Sequence, residues 1–159
     1  MTQEVDQRLG QIISSLHRVA VRALIVRDGK LLITKEVSER PELELRGVPG
    51  GGVDRGEDFR MALIRELDEE LGVEVSDNQI AAEPIKFDFC DMISADFLRI
   101  IPSIQVYFPV RLRADQMPSA RDNDFVWLDT DGLKAANFVH HAEPARSLLI
   151  NYLVQELAK

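Results

Sequence analysis

The sequence predicts an α/β fold: a mixed sheet with helices on its faces, stacked in three layers. Three observations carry this. Runs rich in β-branched and apolar residues alternate along the chain with runs of helical periodicity. Turn signals join some of the strands as hairpins, so the sheet cannot be purely parallel. And 159 residues with 45% apolar content are enough for one domain, residues 1–159, with a real core.

The elements follow in order. Val5, Leu9, Ile12, Ile13 and Leu16 recur at helical spacing, which predicts an amphipathic N-terminal helix over residues 4–16. This extension, residues 1–17, would cover the domain or join a second subunit. Val19 to Arg27 reads as a strand and Asp28-Gly29 as a hairpin turn, with a return strand from Leu31 to Thr34. Residues 36–42 are charged, contain Pro41 and read as a loop. A short strand, Leu43 to Val48, runs into Gly50, Gly51 and Gly52. A helix is expected from about Glu57 to Leu71, with Phe59, Leu63, Leu67 and Leu71 as its apolar stripe and Gly72 as its stop.

Beyond it, a strand lies within Ile80 to Phe89, interrupted at Pro84, and residues 88–96 read as irregular. Leu98 to Leu112 reads as a long strand whose Pro102 and Pro109 suggest an edge or bulges. Phe125 to Leu128 is a strand, Thr130-Asp131-Gly132 a turn, and Pro144 suits the first turn of a final helix. Leu148, Leu149, Tyr152, Leu153 and Leu157 would give that helix its apolar face.

Composition narrows the function classes. A net charge of −8 disfavours a large nucleic-acid footprint, which needs a basic surface. It does not disfavour a phosphate substrate, because a bound divalent cation inverts the local charge. Cys90 is the only cysteine, so no internal disulfide can form, which fits a reducing cytoplasm. No signal peptide and no apolar run long enough to span a bilayer is seen, so no membrane partner is expected.

Residues 51 to 73 read G-x5-E-x7-R-E-L-x-E-E-x-G-V. Glu66, Glu69 and Glu70 stand at i, i+3 and i+4, so a helix projects them from one side. Crowded carboxylates repel one another unless a cation lies among them, and hard oxygen donors suit Mg²⁺ or Mn²⁺. The bland alternative is a solvated acidic face, but Glu66 and Glu70 would then repel for no return. Lys35, Arg46 and Arg99 are candidate phosphate contacts, weighed against ordinary surface charges. Phe125 and Trp127 read as core, and His140 and His141 as loop residues near a pocket rim.

The stretch resembles the Nudix box, the signature of a hydrolase superfamily acting on nucleoside diphosphates linked to another group. Every defining position matches. One departure lies just upstream: Arg46-Gly47-Val48 precedes Pro49-Gly50-Gly51, where many relatives carry an aromatic residue. The resemblance implies an α/β/α sandwich to which the N-terminal helix is an addition, a small-molecule nucleotide substrate and often a homodimer. It implies that Glu69 and Glu70 bind the metal, with the Gly50 carbonyl, and that Glu66 joins them or serves as the general base. Glu57 would support the metal or its waters. Arg65 would orient the catalytic glutamates. Asp124, three residues before Trp127, is the candidate for a further ligand or base outside the box, weighed against a plain loop aspartate.

The implied reaction is hydrolysis of a pyrophosphate bond. The marks of several subfamilies are missing. No proline stands about fifteen residues beyond the box, as in ADP-ribose cleavers, and no tyrosine lies nearby, as in dinucleoside-polyphosphate cleavers. The patterns of NADH and coenzyme A cleavers are absent. Phe138 to Pro144 faintly resembles the base-reading segment of the oxidised-dGTP enzyme, with Ala142 where that enzyme has its asparagine. A nucleoside triphosphate or another nucleoside diphosphate derivative is therefore favoured. An ADP-ribose or nucleotide-sugar pyrophosphatase is one alternative. A non-catalytic nucleotide-sensing module is another, although no box glutamate has been lost. Isopentenyl diphosphate isomerase, on the same fold, needs a cysteine upstream of the box, and Cys90 is downstream.

Overall fold

The computed structural model describes residues 18–35, 44–93, 100–121, 124–138 and 142–159. The expected helix over 4–16, Arg99, His140 and His141 lie outside the described residues. Within them the architecture is mixed α/β, with a six-stranded sheet. The strands are β1 (Arg18–Arg27), β2 (Lys30–Lys35), β3 (Arg46–Gly47), β4 (Lys86–Ile93), β5 (Ile100–Val110) and β6 (Phe125–Leu128). The helices are α1 (Phe59–Leu71), α2 (Thr130–Ala135) and α3 (Ala142–Leu157), with a 3₁₀ turn at Asp77–Gln79.

The strands run β3-β2-β1-β5-β4, with β6 on the other side of β2. β1 pairs parallel to β5 and antiparallel to β2, so the sheet is mixed. Side chains alternate between its faces. Val21, Ala23, Ile25, Val106, Phe108 and Val110 meet Leu63, Leu67 and Leu71 of α1 on one face. Leu24, Leu31, Ile33 and Tyr107 meet Leu133 of α2 and Leu149 and Leu153 of α3 on the other. Each fully buried leucine stabilises the fold by about 1.5–3 kcal/mol.

Asp28 and Gly29, with φ of 50° and 72°, build the tight turn expected between β1 and β2. Helix α1 starts at Phe59 rather than Glu57, because Asp58 caps it: its carboxylate accepts from the Arg60 and Met61 amides. Gly72, at φ 62°, ends it in the left-handed conformation.

Three expectations are corrected. Residues 88–93 are not irregular but belong to β4, which starts beyond Pro84 and pairs with β5 as far as Ile93↔Ile100. β5 is a central strand despite its two prolines. Pro109 lies beyond the start of β4, where its carbonyl accepts from the Ala81 amide (2.9 Å), and Pro102 lies beyond the described pairing with β1. And Thr130-Asp131-Gly132 opens helix α2, because Asp129 caps it through the Gly132 amide.

One irregularity of the sheet builds the site. β1 and β2 pair only beside their turn, at Val26↔Leu31 and Arg27↔Lys30, and then fork apart. Residues 46–53 run into the fork. Arg46 and Gly47 pair with Lys35 and Thr34 of β2. Pro49 to Val53 then lies along β1: the Val21 amide donates to Gly51 O (2.9 Å), Ala23 to Pro49 O (2.8 Å) and Val53 to Val19 O (3.0 Å).

Candidate active site

The glycine segment sits so close to its neighbours that side chains are excluded. Gly50 has φ of 129°, and a Cβ there would collide with the Val21 carbonyl. A Cβ on Gly51 would collide with the Glu66 carboxylate. Glycine is therefore the residue that lets this helix carry its glutamate against the backbone.

Arg65, on α1, organises the carboxylates. Its Nε donates to Glu57 Oε1 (2.8 Å) and its Nη2 to Glu57 Oε2 (2.9 Å), a two-pronged grip that a planar guanidinium makes well. Its Nη1 donates to Glu66 (2.8 Å) and to Glu69 (3.2 Å), and its Nη2 also reaches Gly52 O (3.0 Å). Asp54 lies 3.7 Å away. Glu57 accepts a further bond from the Asp54 amide at 3.0 Å. The Arg65 guanidinium, then this amide, hold the Glu57 carboxyl down at about 2, and Glu57 in turn pushes the Arg65 pKa further above its usual range.

Glu70 does not join that fan. Its Oε2 accepts from the Gly50 amide at 2.9 Å. The opposite end of the Gly50 residue is held too: its carbonyl accepts from Arg22 Nη1 at 2.8 Å. Arg22 is 7% exposed and also donates to Val48 O (3.2 Å) and, through Nε, to Gln105 Oε1 (2.7 Å). Gln105 passes a bond to Ser103 Oγ (2.8 Å), and Ser103 donates to Arg18 O (3.0 Å). No carboxylate lies within ion-pair distance of Arg22 among the described residues. Sequence reasoning missed this buried row. Its signal was a charged residue inside the apolar run Val-Ala-Val-Arg-Ala-Leu-Ile-Val, at a position no exposed face could claim.

The other expected residues fall into two groups. Lys35 and Arg46 face each other across β2 and β3, on the segment that leads into the glycines. Neither side chain makes an ion pair among the described residues. Asp124 comes close to Lys35 through its backbone, accepting from the Lys35 amide at 2.7 Å. Its exposed carboxylate has no hydrogen bond to the glutamates of α1 among the described residues. Trp127 is partly buried against the core, with the Arg27 guanidinium 5.8 Å above its ring.

The donors present suit a hard divalent cation: the carboxylates of Glu66, Glu69 and Glu70, and the Gly50 carbonyl. Among the described residues, however, no three acidic, histidine or cysteine side chains converge closely enough to hold one. Arg65 spreads Glu57, Glu66 and Glu69 around itself, while Glu70 turns to Gly50.

The Nudix domain model matches residues 16–148. The chain belongs to the Nudix family. Among its Nudix relatives, the CTP pyrophosphohydrolase of Escherichia coli K12 is 40% identical over 62 residues, 39% of this chain and 46% of that protein. That match therefore spans under half of the relative. The 8-oxo-dGTP diphosphatase of Buchnera aphidicola subsp. Schizaphis graminum is 29% identical over 119 residues, 74% of this chain and 82% of that protein. Among solved structures, the MutT NUDIX hydrolase from Burkholderia pseudomallei superposes with a TM-score of 0.63 at 26% identity, covering 86% of this chain and 99% of that one. Among the described residues no helix is long and apolar enough to cross a membrane.

Proposed function

We propose that this protein is a divalent-metal-dependent hydrolase that cleaves the pyrophosphate bond of a nucleoside triphosphate or another nucleoside diphosphate derivative. The observation that carries the reading is the set of box carboxylates gathered around Arg65 and Gly50, beside a glycine segment with its backbone pinned at both ends.

Mg²⁺ or Mn²⁺ held by Glu66, Glu69, Glu70 and the Gly50 carbonyl would neutralise phosphate charge and lower the pKa of a bound water. The chain's own residues do the rest. Arg65 holds Glu57, Glu66 and Glu69 beside the glycine segment, and Glu66, Glu69 and Glu70 would turn inward to take up a cation. Glu66 either completes the ligand set or takes the proton of the attacking water. Lys35 and Arg46 offer two cations to the phosphate chain at the entrance of the glycine segment. Asp124, just before β6, is a second candidate base. Water adds to one phosphorus, the bridging P–O bond breaks, and a nucleoside monophosphate leaves with pyrophosphate or a second phosphorylated group.

The name of the E. coli relative supports a nucleoside triphosphate. The name of the Buchnera relative makes oxidised dGTP the competing candidate. Against it stands Ala142, which has no group to discriminate the oxidised base. The deciding experiment is a phosphate- and pyrophosphate-release screen over nucleotides, nucleotide sugars and dinucleotides with Mg²⁺ and Mn²⁺, including 8-oxo-dGTP beside dGTP. Turnover should vanish on chelation, and the kcat/KM ratio for the oxidised base should stay below about a hundredfold. Turnover that survives thorough chelation would refute the metal dependence, and a larger ratio would refute the substrate assignment.

A further inference from the structure

Arg18 opens β1, and its backbone is fixed on the sheet. It pairs with Ser103 of β5, and its carbonyl accepts from Ser103 Oγ at 3.0 Å, the last bond of the buried row that starts at Arg22. Arg18, Ala20 and Arg22 share one face of β1. Ala20 in turn bridges Gly52, the end of the glycine segment.

The Arg18 guanidinium lies against that segment. A Cβ on Gly52 would stand 3.2 Å from Arg18 Nη2 and 3.4 Å from its Nε. Gly50 needs glycine for its positive φ, but Gly52 has no such angle. What the missing side chain at Gly52 leaves is room for Arg18.

Among the described residues the Arg18 guanidinium has no hydrogen bond and no ion pair. The other two arginines at the segment are committed. Arg65 bonds the Gly52 carbonyl from the α1 side and stands among Glu57, Glu66 and Glu69. Arg22 is buried and donates to Val48 O, Gly50 O and Gln105. Arg18 is exposed with its donors unused. An exposed arginine is by itself an ordinary surface charge. This one has an anchored backbone and rests on the segment that the box carboxylates surround, yet takes none of them as a partner. A guanidinium presents a planar fork that fits two oxygens of one phosphate.

We propose that Arg18 is a substrate-binding residue, receiving a phosphate group on the face of the glycine segment opposite the carboxylate fan. The cation at the fan would neutralise one phosphate and Arg18 would take another. Lys35 and Arg46 precede the glycines, whereas Arg18 stands at their far end, so it adds a contact those two cannot make. The proposal rests on the reading of the fan as the site for a nucleotide's phosphates.

The test is calorimetric binding of the α,β-methylene analogues of CTP and GTP to the full-length protein with Mg²⁺, beside kcat and KM on the triphosphate that turns over. Circular dichroism melts show that each variant folds. Arg18→Gln should weaken analogue binding by about tenfold or more and raise KM to match, with kcat changed by less than about threefold. Arg18→Lys keeps the charge without the fork and should lose about threefold. Lys134→Gln, which removes the same charge from α2, should bind as wild type does. A fall in kcat with KM and analogue affinity unchanged would overturn the proposal. So would equal weakening by Lys134→Gln, or a wild type that binds neither analogue. Arg18-dependent binding in a protein that turns over no substrate would support this proposal while refuting the hydrolase reading. Turnover with a KM indifferent to Arg18→Gln would do the reverse.

Discussion

Arg22 and Arg65 grip the same glycine segment from opposite faces of the sheet. Arg65 comes from the α1 side, bonds Gly52 O, and stands among Glu57, Glu66, Glu69 and Asp54. Arg22 comes from the face of α2 and α3, bonds Gly50 O, and has only neutral acceptors: two backbone carbonyls and the Gln105 amide. Arg65 is partly exposed, whereas Arg22 is buried. Among the described residues, one guanidinium has more anionic partners than it can neutralise and the other has none. The first arrangement leaves negative charge over, which suits the proposed cation. The second fixes a backbone carbonyl in place with groups that cannot be removed singly without leaving a buried polar atom unpaired. The proposed chemistry therefore lies on the Arg65 side, and the buried hydrogen-bond row on the Arg22 side.

That contrast can be broken in a graded way. Glu70→Gln should have the largest effect on rate, about a hundredfold or more, since it removes a charge proposed to hold the metal. Its stability should change by less than about 1 kcal/mol, because the amide oxygen can still accept from Gly50. Turnover near wild type at saturating Mg²⁺ would refute the assignment. Arg22→Met should act on the opposite axis. The side chain keeps much of its volume but takes a donor from Gln105 Oε1 and from the buried carbonyls of Val48 and Gly50, so urea unfolding should show a loss of about 2–4 kcal/mol. A change below about 0.5 kcal/mol would mean that the buried row is not holding the segment.

Arg65→Lys keeps the charge but loses the two-pronged grip on Glu57. We expect about a tenfold fall in kcat with little change in the denaturation midpoint. A larger loss of stability than of rate would invert the comparison. The smallest effect belongs to Glu57→Gln. The Glu57 carboxyl is held at about 2 in the folded protein against an ordinary 4.5, so its contribution to stability is full above pH 4.5 and fades as pH falls toward 2. The variant should flatten the acid limb of the stability profile across that window. An unchanged limb would show that Arg65 does not hold Glu57 in solution.

The two arginines also differ in how far the sequence announces them. Arg65 lies inside a stretch whose spacing is set by one helix, so its neighbours were legible: Leu63, Leu67 and Leu71 form the buried stripe and Gly72 the stop, as periodicity and capping require. Arg22 meets Gly50 and Gln105 only because two strands fork and a distant segment fills the gap, and such contacts leave no local pattern. The same limit explains the misread strands. Proline in β5 was weighed by its own chemistry, but its tolerance depends on where the neighbouring strands begin and end. Residues 88–96 read as irregular from their composition, yet β5 supplies a partner for every residue from Lys86 to Ile93. Asp124 illustrates the other direction: its place before Trp127 was readable, and its carboxylate's role still depends on a substrate.

The fork between β1 and β2 has a kinetic consequence. Since β1 and β2 share only the register pairs beside their turn, residues 49–53 can lift off β1 without unzipping the hairpin. The amides of Val21, Ala23 and Val53 are the ones whose hydrogen bonds would break in such an opening. In native-state hydrogen exchange they should form a group of their own, exchanging through a low-energy local opening. The β1–β5 ladder on the other edge of the same strand would exchange only with global unfolding.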